Sequence, residues 1–213
     1  MPVSTVYAGT METSEAPRTG LRAATREAIR AQVAERAVIF LDEHGFDETT
    51  VEELAASVGI SPRSFFRYFP TKEDVAIGNL MPMGRLVEKE LLSRPDSESA
   101  WVALRESLAP MVASTEQDPP SILRQARVAL STPGLRARAI ERHETWATFL
   151  APIVARRLND SSANAPLAAG ALTQCALACL YVATNAWVSQ AGATPFSDLL
   201  DDAFQSVHPL ARE

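Results

Sequence analysis

Between Gly45 and Val75 the chain reads GFDETTVEELAASVGISPRSFFRYFPTKEDV, a stretch that opens a helix three times and closes one twice. Thr50 with Glu53 three residues later is a capping box, in which each side chain binds the other residue's backbone N–H. Val51, Leu54, Ala55 and Val58 make the inner face of that helix, and Gly59 stops it after barely two turns. Ser61 caps the next helix with Pro62 at its first position, where a missing N–H costs nothing, and Pro70 ends it. Thr71 caps a third start. A longer helix is predicted upstream, from about Arg22 to His44, with Ile29, Val33, Ala37, Phe40 and Leu41 on its apolar face and Gly45 as its stop. Short helices joined by a glycine-containing turn describe a helix-turn-helix unit.

The rest of the chain continues in the same manner, and no region alternates with period two, so the predicted fold is all-α with about nine helices. The fourth helix runs from Thr71 to about Ser93 with a bend expected at Pro82. Further helices are predicted over Ser97–Thr115, Pro120–Leu130, Pro133–Leu158, Pro166–Gln190 and Phe196–Val207, with kinks at Pro110 and Pro152. Kinked helices rich in Ala and Met pack with gaps, which points to a cavity. Between Asp160 and Asp198 no residue is charged, and this run is long enough to cross a bilayer. Thr173, Gln174, Thr184, Asn185 and Gln190 interrupt it, so a buried helix or a subunit seam is expected and no membrane partner. Cys175 and Cys179 supply no disulfide framework, which suits a reducing cytoplasm. Residues 1–20 carry no basic or apolar targeting pattern and read as a disordered leader, with Met11 as a second candidate start.

The short helix from Pro62 to Phe69 raises a question of charge. The chain has net charge −6 and pI near 5.2, yet Arg63, Arg67 and Lys72 sit here among Phe65, Phe66, Tyr68 and Phe69. Phe65 and Phe69 are four apart and share a face, so with Ile60, Val58 and Leu54 they are expected to fill the small core. Arg63, Phe66 and Arg67 must then face outward. Arginine can read guanine in a major groove, an aromatic ring can meet a thymine methyl, and a tyrosine hydroxyl can meet phosphate. Thr49 and Thr50 at the opening of one helix and Lys72 at the opening of another are placed to hold phosphate. Arg18, Arg22, Arg26 and Arg30 recur every four residues along the approach. Cations gathered where a backbone would lie reconcile an acidic chain with double-stranded DNA. The plainer alternative is a snorkelling surface over a small core.

The run from Gly45 to Val75 strongly resembles the N-terminal domain of tetracycline-repressor (TetR) type transcriptional regulators, in its Gly-Phe turn, its Thr-Thr opening, the ELA within the second helix, Gly59, Phe69 and TKED. The resemblance is tight over about Thr25 to Val75. It implies a DNA-binding domain over 21–71, a ligand-binding and dimerisation domain over 72–213, and contacts to DNA from Thr49, Thr50, Pro62, Arg63, Ser64, Phe66, Arg67, Tyr68 and Lys72. The position of Phe66 is usually Tyr in that family, and Tyr68 is a candidate to replace the lost hydroxyl. The run LRQARVALSTPGLRARAIERHETWATFLAPIVARRL more loosely resembles the subgroup with acyl-CoA-like ligands. This implies a homodimer through the last two long helices, a pocket beneath helices four to eight, and a repressor released from a near-palindromic operator by a small-molecule effector. No cofactor or metal is implied.

Among the remaining residues, Cys175 and Cys179 are read as two thiols buried in the seam, because no histidine lies nearby to complete a metal site. His44 meets the dipole at the end of the first helix. His143 and Glu144 are neighbours that point apart and read as a surface pair, while Trp101, Trp146 and Trp187 read mainly as core. Arg124, Arg127, Arg136, Arg138 and Arg142 crowd one bend, where a CoA diphosphate would use them; otherwise they are a solvated face. From these, Arg124, Arg127 and Trp146 are the candidate ligand residues. No phosphate loop or nucleophile motif is present, so an enzyme is not expected. The competing class is an all-α carrier or enzyme that uses the C-terminal cavity, with the N-terminal unit docking a protein.

Overall fold

The computed structural model describes residues 17–78, 81–158 and 164–208, with side chains described from Ala24 onward. Of the expected leader, residues 1–16 lie outside the described residues, whereas 17–20 are helical and extend the first helix upstream of the expected start at Arg22; the side chains of Arg18 and Arg22 are not described. Every regular element among the described residues is a helix: α1 (Pro17–His44), α2 (Val51–Ser57), α3 (Pro62–Tyr68), α4 (Lys72–Ile77), α5 (Met81–Ser93), α6 (Ala100–Glu106), α7 (Ala109–Gln117), α8 (Pro119–Leu130), α9 (Pro133–Arg157), α10 (Ala165–Ser189) and α11 (Phe196–Val207).

Two expected helices are each divided, and in both the proline starts a helix instead of bending one. Gly78, at φ 74°, ends α4, and Pro82 falls in the first turn of α5, where no intrahelical bond needs its N–H. Likewise the chain breaks at Ser107 and Leu108, and Pro110 opens α7. Pro152 alone stays inside a continuous helix, α9.

Apolar side chains gather in two clusters. The smaller one joins α1, α2, α3 and α4 through Val38, Leu41, Leu54, Phe65, Phe69 and Val75, and takes in Val128 of α8 and Leu135 of α9. It therefore extends past the boundary expected at Thr71, because α4 is buried against α1 and α8 on its inner side. Burying Phe65 and Phe69 completely stabilises this unit by about 1.5–3 kcal/mol each. The larger cluster unites α5, α6, α9, α10 and α11 around Leu91, Trp101, Trp146, Leu150, Leu180 and Phe204.

Polar contacts tie the ends. Arg157 at the end of α9 donates to the carbonyls of Leu91, Arg94 and Pro95, satisfying acceptors that α5 leaves open at its C-terminus. Arg105 of α6 pairs with Asp201 of α11. Arg127 of α8 donates through Nε and Nη2 to both carboxylate oxygens of Asp42 on α1, at 2.6 Å each, and so braces the smaller cluster against the larger.

Helix α10 is long and apolar enough to cross a membrane by length and composition. Here it packs chiefly against α9 and α11. Thr173, Leu180, Ala183 and Trp187 lie on its buried side, while Leu167 and Val182 stand exposed. In the single chain Cys179 is buried and Cys175 is exposed, so the expected burial of both thiols would need the second protomer of a seam.

Candidate nucleic-acid interface and interior cavity

Helix α3 is built as a plate with one oily and one polar side. Ser61 accepts from the Ser64 N–H, and Pro62 occupies the first turn. Phe65 and Phe69 fall on the inner side, their rings 5.4 Å apart. The outer side presents Arg63, Phe66 and Arg67, with Phe66 48% exposed. Pro62, Ser64 and Tyr68 are half-buried at its margins. Arg67 lies over the Tyr68 ring, 5.1 Å from its centroid, and Nη2 reaches the phenol oxygen at 3.4 Å. Arg26 of α1 donates to the Arg67 carbonyl and Arg30 stacks over Phe69, so these two cations of α1 lie alongside α3.

The opening of α2 carries the expected capping box, and Thr71, expected as a cap of α4, proves to form a second box with Asp74. Thr50 is exposed, and its backbone N–H and hydroxyl both donate to Glu53, which holds that carboxyl below its usual range. Thr71 and Asp74 repeat the arrangement in α4.

Two of the residues expected to face phosphate turn inward. Thr49 is buried, and its hydroxyl donates to the Gly45 carbonyl at 2.7 Å, satisfying an acceptor left open where α1 ends. The Lys72 ammonium donates to the carbonyls of Phe46 and Thr49, both at 2.7 Å, and lies 4.1 Å from the centre of the Phe46 ring. Lys72 therefore fastens α4 to the turn that carries α2. Neither role is visible without knowing which carbonyls the turn strands.

Behind this unit lies an apolar cavity of about 190 Å³, walled by α4, α5, α7, α8, α9, α10 and the start of α11. Met83, Met111, Ile122, Leu180, Trp187 and Phe196 supply much of its surface. Its polar lining includes Gln125, Arg142 and His143. Gln125 Nε2 donates to the Ala76 carbonyl and Arg142 Nη1 to that of Gly78, the last residues of α4 and its cap. Burial lowers Arg142 to about 10, and burial together with the neighbouring Arg142 charge lowers His143 to about 4, so His143 is neutral.

The three candidate ligand residues do not line this cavity. Arg124 and Arg127 face α1, where both meet the single carboxylate of Asp42, Arg127 the more closely. Trp146 is wholly buried against Gly84 of α5. His143, expected on the surface, instead lines the cavity while Glu144 is exposed, because α9 is covered on that side by α5 and α8. Of the arginines gathered at the bend, Arg142 is the one that enters the cavity, and only the fold distinguishes it from the others.

Comparisons with known proteins agree with this geometry. Residues 33–77 match the family model of bacterial regulatory proteins of the tetR family, and residues 98–211 that of the MftR C-terminal domain. The transcriptional regulator TcmR of Streptomyces glaucescens is 29% identical over 144 residues, 65% of this chain and 64% of that protein. The Mycobacterium tuberculosis protein described as a mycofactocin biosynthesis transcriptional regulator, MftR, is 30% identical over 130 residues, 59% of this chain and 63% of its own. The chain thus spans slightly less than two thirds of each relative. In fold it is similar to FadR of Bacillus subtilis, solved with stearoyl-CoA (TM-score 0.60, 16% identity, 85% of this chain and 99% of that one). It is similarly close to NalD of Pseudomonas aeruginosa, the secondary repressor of the MexAB-OprM efflux pump (TM-score 0.60, 17% identity, 89% and 99%). With its N-terminal helices matched to one model and more than half its length to the other, the chain belongs to the TetR family of bacterial transcriptional regulators.

Proposed function

We propose that this chain is a homodimeric repressor that binds a near-palindromic operator and leaves it when a small-molecule effector enters the cavity. The observation that carries the reading is the two-sided α3. Arg63, Phe66 and Arg67 face out from a helix anchored by the fully buried Phe65 and Phe69, with Thr50, Pro62, Ser64 and Tyr68 around them. Such a helix enters a major groove. Two of them, one from each protomer, must then sit about 34–36 Å apart to meet successive grooves. Lys72 and Thr49 act on DNA indirectly in this reading, by holding the turn that places α2.

The reader unit spans 21–71 and the effector and dimer unit 72–213, with α4 as their shared part: its start is bound to the α1–α2 turn and its end to the cavity wall. The exposed apolar face of α10, with α11 beside it, is the seam between protomers. An effector acts by differing in affinity for the two spacings of the readers. FadR of Bacillus subtilis and FadR of Thermus thermophilus were solved with stearoyl-CoA and lauroyl-CoA, which makes an acyl group a candidate for the apolar part of the effector. The protein works in the cytoplasm.

Fluorescence anisotropy on duplex DNA from the region upstream of its own gene, beside shuffled DNA, tests this. Binding of the native duplex that is tighter than that of the shuffled one and weakens with salt is expected. If neither that region nor duplexes selected from random DNA are preferred, the repressor reading fails.

A further inference from the structure

The cavity contains a cation without an anion. Among its described lining residues Arg142 carries the one formal charge, and no carboxylate is present. Nη1 is occupied by the Gly78 carbonyl, but Nε and Nη2 are buried and meet no hydrogen-bond partner among the described residues. The charged influences on it are Asp74, which favours the guanidinium, and Arg138, which opposes it; Asp74 is engaged in the capping box of α4 and lies 3.9 Å from Arg138. His143 beside Arg142 is neutral. Arg105 by contrast has Asp201, and Arg157 leaves only its Nε without a partner while both terminal nitrogens donate to carbonyls at the end of α5 and beyond it.

Nε and Nη2 are not two scattered atoms. They form one edge of the planar fork, with two parallel N–H bonds that match the two oxygens of a carboxylate. Arg127 uses this same edge to hold Asp42. An unpaired edge of this kind, sealed from water at the wall of an apolar chamber, is costly, and a carboxylate in the chamber pairs with it once the guanidinium turns inward.

We propose that the cavity takes a small amphipathic monocarboxylate, its carboxylate paired with the Nε–Nη2 edge of Arg142 and its apolar body among Met111, Ile122, Leu180, Trp187 and Phe196. The proposal rests on the reading that this cavity holds the effector, and names the effector's chemical class. A free acid fits better than a thioester for two reasons. A thioester carbonyl brings no charge to Arg142, and the described lining residues include no second cation for a diphosphate. The volume, about 190 Å³, lies below the roughly 300–1,000 Å³ of sites for drug-sized molecules, so the acid is short. Because Nη1 of the same side chain holds the Gly78 carbonyl, drawing Arg142 onto a ligand loosens the end of α4.

Isothermal titration of the purified full chain with octanoate and phenylacetate, each beside its primary amide, and with octanoyl-CoA, tests this. At least one acid is expected to bind one site per chain, about tenfold or more tighter than its amide, since the amide leaves the charged edge unpaired. Arg142→Gln should bind acid and amide equally weakly. If that variant does not fold, the acid–amide comparison on the unaltered chain decides alone. An amide that equals its acid, a CoA thioester that binds more tightly than octanoate, or no heat from either acid overturns the proposal. Operator release, followed separately by anisotropy, distinguishes the two levels. Release by octanoyl-CoA without any response to the acids sinks the carboxylate and leaves the effector cavity standing. No binding by any of the five ligands, together with no preferred DNA, sinks both.

Discussion

Gly84 lies buried in α5, directly against Trp146 of α9. A Cβ placed there would come within 2.4 Å of indole Nε1, 2.6 Å of Cε2 and 2.9 Å of Cδ1. The ring is fully buried, so it cannot swing into solvent, and its rigid plane cannot yield as a flexible chain would. Two opposed effects act on Gly84→Ala. Helix propensity favours alanine by about 1 kcal/mol in a helix interior. Forcing a methyl into a packed site costs about 1–3 kcal/mol, and three contacts below 3 Å place this site at the upper end. The net expectation is a loss of about 2 kcal/mol, or a fall of about 4–8 °C in Tm for a chain of this size. The assay is thermal unfolding followed by circular dichroism at fixed protein concentration, since the Tm of the proposed dimer would depend on concentration. Gly134→Ala serves as the control, because its Cβ would meet nothing closer than Thr132 Oγ1 at 4.0 Å. A Gly84→Ala protein with a Tm equal to or above that of the parent would refute the packing argument, for propensity alone would then account for the change.

His143 is lowered to about 4 in the folded chain from an ordinary value of 6.5, so between those limits the unfolded chain binds the extra proton. Stability should therefore fall as the pH drops from about 6.5 toward 4, by on the order of 3 kcal/mol, and His143→Gln should flatten that part of a Tm–pH profile relative to the parent. Arg67→Ala is expected to weaken operator binding by about 1–3 kcal/mol and to relax preference at one base position in a competition assay. An equal loss on all sequences would assign Arg67 to phosphate instead. Lys72→Met leaves the Phe46 and Thr49 carbonyls without their donor, so a stability loss of about 1–3 kcal/mol is expected in urea unfolding. An unchanged midpoint with weaker DNA binding would return Lys72 to the phosphate role.

What could be read from the sequence and what could not divide along a physical line. The capping pairs Thr50–Glu53 and Thr71–Asp74 and the Ser61–Ser64 contact each span three residues, so local chemistry alone decides them. The two sides of α3 follow equally from the spacing of Phe65 and Phe69. The inward bonds of Thr49 and Lys72 are not legible in the sequence because a threonine or lysine at a helix start serves phosphate or a stranded carbonyl equally well, and only the tertiary turn strands the carbonyls of Gly45, Phe46 and Thr49. In the sequence Pro82 and Pro110 suggest bends, because a proline marks a helix interior or a helix start with the same residue; Gly78 and the break at Ser107 decide between them. The arginines make the sharpest case. Arg127 and Arg142 present the same fork, and nothing in their immediate sequence separates them. One meets Asp42 across 85 residues of chain and becomes a brace between α8 and α1. The other is carried by α9 to the end of α4, where it finds a single carbonyl and an apolar chamber. Charge on a helix thus becomes structural or receptive according to whether the fold delivers a carboxylate to it, and Arg142 is the arginine in this cavity to which the fold delivers none.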